Sequence, residues 1–328
     1  MYSGPKHRTY AKQHEKHNDK SLPEHPGLPG RIPRRRELTH NHPADHPCSC
    51  RPARSTHPRL PCPAYPQLHV CPHLNHPAPS LSNKHSFFDM DLIRDTTSPY
   101  PQMLPTASHF ASCVAALGIT KDDVLVIYDA VDVGIYSSPR VAWMFRFFGH
   151  EAVHVLNNFR VYVSQGYPVA SGEMRPLPSV SKYPVSPLDS DRVISFEELR
   201  ELVLAREEEV QIVDSRIAGR FSGEEDEAVA GLSSGHMPRA VNVPLAAMLE
   251  DESRTFLPVE KLKEVFERAG VDGRAPLVLT CNSGVTAAAL DLALGETGFR
   301  NPRRIYDGSW MEWARRVDRP ELIVKDVH

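Results

Sequence analysis

Cys281 closes the apolar run Pro276-Leu277-Val278-Leu279-Thr280, and Asn282-Ser283-Gly284 leads from it into the helix-compatible Val285-Thr286-Ala287-Ala288-Ala289-Leu290. A strand that ends in cysteine, then a short loop of small residues, then a helix start is one way to make a reactive sulfur. Loop N–H groups and the positive end of the helix favour the thiolate. Gly284 lets the backbone curl so that several N–H groups point one way, while Ser283 and Thr286 add hydroxyl donors. The competing reading is a core cysteine at the end of a strand, the commoner place for a lone cysteine.

The elements that must position this thiol lie in the second part of a chain of uneven composition. Over all 328 residues the balance is 41% hydrophobic and 24% charged with a net charge of −3, as in soluble proteins. No apolar run approaches the roughly 18 residues a membrane span needs, so no membrane is expected, and the near-zero charge gives no case for nucleic acid as a partner. Residues 1–84, however, hold 15 of the 30 prolines, 11 of the 17 histidines, and 13 Lys/Arg against 5 Asp/Glu. Large apolar residues are scarce there and follow no period, so this Pro/His/Arg-rich segment is expected to be disordered. A further reading is that it is not native protein. Cys48, Cys50, Cys62 and Cys71 lie among histidines in it, but their spacing matches no recognised zinc frame. Its prolines also work against the amphipathic helix of a mitochondrial presequence.

From residue 85 the chain repeats itself. Leu104-Pro105 precedes a helical pattern through Phe110 and Val114 that stops at Gly118, followed by the strand-like Val124 to Asp129. Ser138-Pro139-Arg140 opens a helix that stops at Gly149, and a short strand, Val153 to Leu156, and a short helix from Phe159 follow. The same order returns from Leu257-Pro258: a helix to Gly270, the strand ending at Cys281, a helix to Gly295, the strand Arg304-Ile305-Tyr306, and a helix from Ser309. This predicts a duplicated α/β unit, each copy a mainly parallel sheet with helices on both faces. The alignment sets Asp129 opposite Cys281. One copy carries a nucleophile at the strand end and the other a carboxylate, as in a catalytic domain paired with a non-catalytic one.

The ordered motifs support a family resemblance over about residues 86–320. They include Phe87-Phe88-Asp89-Met90-Asp91, Ser138-Pro139-Arg140-Val141-Ala142-Trp143-Met144-Phe145-Arg146, Asp214-Ser215-Arg216, Gly219-Arg220-Phe221, Ser234-Gly235-His236-Met237-Pro238, Cys281-Asn282-Ser283-Gly284-Val285-Thr286 and Tyr306-Asp307-Gly308-Ser309-Trp310. The chain resembles the tandem-domain rhodanese sulfurtransferases, and within them the 3-mercaptopyruvate branch. The resemblance implies residues 85–172 as a non-catalytic rhodanese-like domain, 173–191 as a linker and 192–325 as the catalytic domain. It implies a double displacement in which Cys281 takes sulfur from 3-mercaptopyruvate or thiosulfate as a persulfide. The sulfur then passes to cyanide or to a thiol such as thioredoxin or glutathione, with no cofactor and no metal. Arg220 is expected to bind the donor's anionic end, with Asn282, Gly284, Val285 and Thr286 as further substrate contacts. Ser283 and Asp91 are expected to assist catalysis. Arg216 and His236 are read as structural, and Asp307 as holding the neighbouring loop.

The neutral Asn282-Ser283 pair favours the monoanionic keto acid over the thiosulfate dianion, which leaves thiosulfate sulfurtransfer as the alternative main activity. Other features depart from the pattern. Gln102 stands where the family has a histidine, Val229 where many relatives have a second arginine, and the first strands of the N-terminal domain have no match in 1–84. The first domain therefore reads as incomplete, with an exposed sheet edge. A non-catalytic interaction protein is the other alternative. A thiol phosphatase of this fold would need an arginine at the end of the loop, where Thr286 and Ala287 stand. The lone reactive thiol fits a reducing interior, mitochondrial or cytoplasmic.

Overall fold

The structure, a computed structural model, describes residues 85–169, 178–180, 182–185, 190–205 and 209–326, together with the backbone of 68–72. The first half contains β1 (Leu68–Pro72), β2 (Ser86–Phe87), α1 (Ala107–Ala116), β3 (Leu125–Asp129), α2 (Ser138–Phe147), β4 (Val153–Val155) and α3 (Phe159–Ser164). Its four strands lie in the order β2-β1-β3-β4. β3 and β4 are parallel, with Leu125 opposite Val153. β1 runs antiparallel to both of its neighbours, with Leu68 opposite Asp129 and Pro72 opposite Leu125.

β1 corrects two expectations. Residues 68–72 of the segment expected to be disordered form a strand, and the edge of β3 expected to lie exposed is paired. The physical reason is local. Leu68-His69-Val70-Cys71 is free of proline, Pro72 comes last where a missing N–H is tolerated, and the open edge of β3 needs main-chain partners. The sheet is therefore mixed, with its parallel part between β3 and β4. Cys48, Cys50 and Cys62 lie outside the described residues.

The second half contains β5 (Val193–Ile194), α4 (Phe196–Ala205), β6 (Gln211–Asp214), α5 (Ala218–Ser222), β7 (Val241–Asn242), α6 (Val259–Arg268), β8 (Leu277–Thr280), α7 (Val285–Glu296), β9 (Arg303–Tyr306) and α8 (Ser309–Arg316). Its sheet has the order β5-β9-β8-β6-β7 and is parallel throughout. β8 is central and all four of its residues are buried, as its unbroken apolar sequence requires. The order α1-β3-α2-β4-α3 recurs as α6-β8-α7-β9-α8, so the repeat read from the sequence is present in the fold.

The two copies share one core. α2 and α7 pack against each other, and one continuous cluster of buried apolar residues runs from Phe88 and Phe110 through Phe145 to Leu279, Ala288 and Ile305. This explains why both helices are apolar around most of their circumference. Each has a sheet on one side and the other helix on the opposite side. The described residues between α3 and β5 pack on the first half, where Val180 N–H donates to the Ala115 carbonyl and the buried Tyr183 ring meets Phe110 edge-on. Among the described residues no helix is long and apolar enough to cross a membrane.

Candidate active site

Cys281 follows the last residue of β8 and is 2% exposed, so a central strand carries it to the carboxyl edge of the sheet, where open α/β folds place ligands. The loop beyond it turns through Gly284, whose φ of 77° lies in the left-handed region. A Cβ there would sit 2.7 Å from the Asp307 carbonyl oxygen, so the position demands glycine on two counts. Among the described residues no acceptor takes the N–H groups of Ser283, Gly284, Val285 or Thr286. These are the free donors of the start of α7, and they lie next to the thiol in sequence and in the turn.

The first turn of α8 holds the same loop from the other side. The Ser309 hydroxyl accepts from Cys281 N–H at 3.2 Å and donates to the Tyr306 carbonyl at 2.8 Å. Trp310 N–H and Met311 N–H donate to the carbonyls of Cys281 and Asn282 at 2.9 and 3.0 Å. Thr286 and Ser215 hydroxyls lie 2.8 Å apart, which ties the start of α7 to the end of β6. Asn282 Oδ1 is buried without a partner among the described residues.

The corresponding strand-to-helix connection of the first half is longer, residues 130–137 against 282–284, and its donors are used differently. Asp129 ends β3, and its carboxylate accepts from Tyr136, Ser137 and Ser138 N–H groups and from the Ser138 hydroxyl. Burial pushes the Asp129 carboxyl up, while these donors work in the opposite direction. One copy of the turn thus has its donors occupied by a carboxylate, and the other leaves them free beside a thiol.

Arg220, on the short helix α5, has no ion pair among the described residues, and its Nε is buried without a partner. Pairing with Glu224 or Glu225 is therefore not what holds it. Arg216 differs. It is buried, pairs with Asp214 at 2.7 Å and Glu227 at 2.8 Å, donates to the Gly235 carbonyl, and lies 4.0 Å over the Trp310 ring. That is a positioning network beneath α8. Burial pushes the Glu227 carboxyl up, opposed first by Arg216 and then by Arg220. His236 stacks on Phe221 and bonds its carbonyl, as a residue of the turn.

Asp91 is exposed and does not bond to the Cys281 loop. It accepts from Gln102 Nε2 at 3.4 Å. Gln102 is buried, with φ of 62° and with Oε1 lacking a partner among the described residues. The link from Gln102 to the loop is Arg140, to which sequence reasoning gave no role. Its Nη2 donates to the Gln102 carbonyl at 2.6 Å and to Asp307 Oδ1 at 2.5 Å, and its Nη1 lies 3.5 Å from the Gly284 carbonyl. The signal was present, since Arg140 directly precedes the apolar stretch Val141 to Phe145 at the start of a helix, and a charged residue is buried there only when paired. Among the described residues no cluster of His, Cys, Asp or Glu could hold a metal ion.

The rhodanese-like domain family model matches residues 195–316. The chain is 42% identical over 243 residues to the 3-mercaptopyruvate sulfurtransferase of Homo sapiens, covering 74% of this chain and 79% of that protein. It is 43% identical over 234 residues to the thiosulfate sulfurtransferase of Rattus norvegicus, covering 71% of this chain and 76% of that protein. Among solved structures, the sub-stoichiometric sulfur transferase subunit of yeast mitochondrial complex I superposes with a TM-score of 0.64 at 35% identity, covering 73% of this chain and 83% of that one. Identity at this level across both halves shows that the chain belongs to the rhodanese-like sulfurtransferase family.

Proposed function

We propose that this protein transfers sulfur from 3-mercaptopyruvate, and less readily from thiosulfate, through Cys281 to a thiol acceptor. The observation that carries the reading is the pair of turns. The donors that Asp129 occupies in the first half are free in the second, beside Cys281, where a thiolate and then a persulfide would take them. The thiolate attacks the sulfur of the donor, the carbon–sulfur bond breaks, and its electron pair leaves as the enolate of pyruvate, which takes up a proton. An acceptor thiolate of the thioredoxin or glutathione kind then attacks the outer sulfur. The sulfur–sulfur bond breaks, and the Cys281 thiolate is restored.

Arg220 would hold the donor carboxylate, the task that suits an unpaired guanidinium fork. Asn282, Gly284, Val285 and Thr286 line the loop that receives the keto acid, and the Ser283 hydroxyl donates to its carbonyl. Asp91 acts from the first half through Gln102. Neutral Asn282 and Ser283 favour the monoanionic donor. The activity suits either a mitochondrial or a cytoplasmic setting, and the mitochondrial relative supports the first.

The test is pyruvate release from 3-mercaptopyruvate, and sulfite release from thiosulfate, by the purified protein beside Cys281→Ser. Release by the wild type and none by the variant is expected. Equal release by both would remove Cys281 from the reaction and overturn the reading, and none by either would leave a non-catalytic interaction protein as the better one.

A further inference from the structure

We infer that Arg140 is a positioning residue for the Cys281 loop, and that through it the non-catalytic half holds the nucleophile turn in its working shape. The inference rests on the sulfur-transfer reading for its consequence and on geometry for its substance. Arg140 is fully buried on α2, in the first half, yet its acceptors belong to both halves. Gln102 O and the Trp143 ring, 4.7 Å from the guanidinium, are first-half partners, while Asp307 Oδ1 and Gly284 O are second-half partners.

Asp307 is the pivot. Its Oδ2 accepts from Leu104 N–H at 2.7 Å, so both carboxylate oxygens are held by the first half. Its own carbonyl oxygen closes on Gly284, and the residues that follow it, Ser309, Trp310 and Met311, make the bonds that fix Cys281 and Asn282. A displacement of Asp307 therefore reaches the thiol from two directions at once, by way of Gly284 and by way of Ser309. Gln102 supports this reading. Its left-handed φ is unfavourable for a residue with a Cβ, and in that conformation its carbonyl is aimed at Arg140. The grip on the donor carboxylate is a separate matter, because Arg220 lies on α5 and none of its bonds runs to Arg140.

The experiment compares wild type with Arg140→Met, with Arg140→Lys, and with Arg140→Met/Asp307→Asn. The double variant removes both buried charges together, so it leaves no unpaired charge to unfold the chain. Thermal unfolding and circular dichroism first establish which variants fold. Two readouts follow: steady-state sulfur transfer, and the pH profile of Cys281 alkylation by iodoacetamide, which needs no donor and stands even if the sulfur-transfer reading fails. In the folded variants lacking Arg140, kcat is expected to fall about tenfold to a hundredfold with the donor KM changed less than about threefold. The alkylation midpoint should move to higher pH as the loop donors lose alignment, and Arg140→Lys should recover part of both. A folded double variant with unchanged alkylation profile overturns the inference, as does a loss confined to KM.

Discussion

Asp129 and Cys281 both stand at the carboxyl end of a strand that leads into a helix, but the connection runs through residues 130–137 in the first half and through 282–284 alone in the second, and the donors of the two helix starts are used differently. The carboxylate satisfies the donors of its turn internally, whereas the thiol lies in a turn whose donors await an anion. Gly284 is what permits the second arrangement, since it combines a left-handed φ with the close approach of the Asp307 carbonyl. Gly284→Ala is therefore expected to destabilise the protein by roughly 2–4 kcal/mol, from the strained φ together with the 2.7 Å clash, and to abolish transfer by pushing the loop off Asp307. Chemical unfolding and a donor assay check the two parts. A variant of wild-type stability and activity would mean that the turn tolerates a side chain and that its shape does not depend on this contact.

At the scale of elements, the repeat was legible because its strands are short apolar runs and three of its helices close at Gly118, Gly149 and Gly270; α7 instead runs through Gly295, where the sequence pointed to a stop, to Glu296, and the left-handed glycine beyond it is Gly298. Those signals are local and survive in one sequence. β1 was not legible, because a short run beside many prolines has no period of its own and is a strand only where an open edge calls for one. Arg140 was hidden for another reason. Its partners are 38, 144 and 167 residues away, so only the packing of α2 on α7 brings them together. The linker shows the same dependence. His150, after α2, is buried, and its Nε2 faces the Asp123 carbonyl, which can only accept, so Nε2 carries the proton and Nδ1 accepts from the Tyr183 hydroxyl, both at 2.7 Å. Burial holds this imidazole below the usual histidine range, with Lys121 adding to the effect and Asp123 and Asp122 opposing it. A depressed folded value means that the folded state binds fewer protons than the unfolded one below about pH 6.5, so this stability is present above that pH and lost as pH falls through the folded value. His150→Gln should flatten the acid limb of a stability-against-pH curve. An acid limb as steep as that of the wild type would show that other groups set it.

Across the whole molecule, first-half residues bond to Asp307 and Gly284 beside Cys281, and β1 is where the inferred dependence of that turn on the first half can be probed from furthest away. β1 pairs along the full length of β3 and also joins β2 to the sheet, so the segment that follows β2 and carries Gln102 and Leu104 is anchored through it. Those residues in turn hold Arg140 and Asp307. A chain beginning at Leu60 keeps β1, whereas one beginning at His85 loses it and bares the main chain of β3 on an edge. The first is expected to melt with the full chain. The second should melt on the order of 5–10 °C lower and associate in solution, which differential scanning calorimetry and light scattering would register. Its transfer rate should fall even at temperatures where it is fully folded, because a loosened first sheet releases Gln102 and, through Arg140, the loop of Cys281. Equal melting temperatures and equal rates for the two chains would assign β1 no part in either the fold or the site, and the Cys281 turn would then rest on α2 and α8 alone.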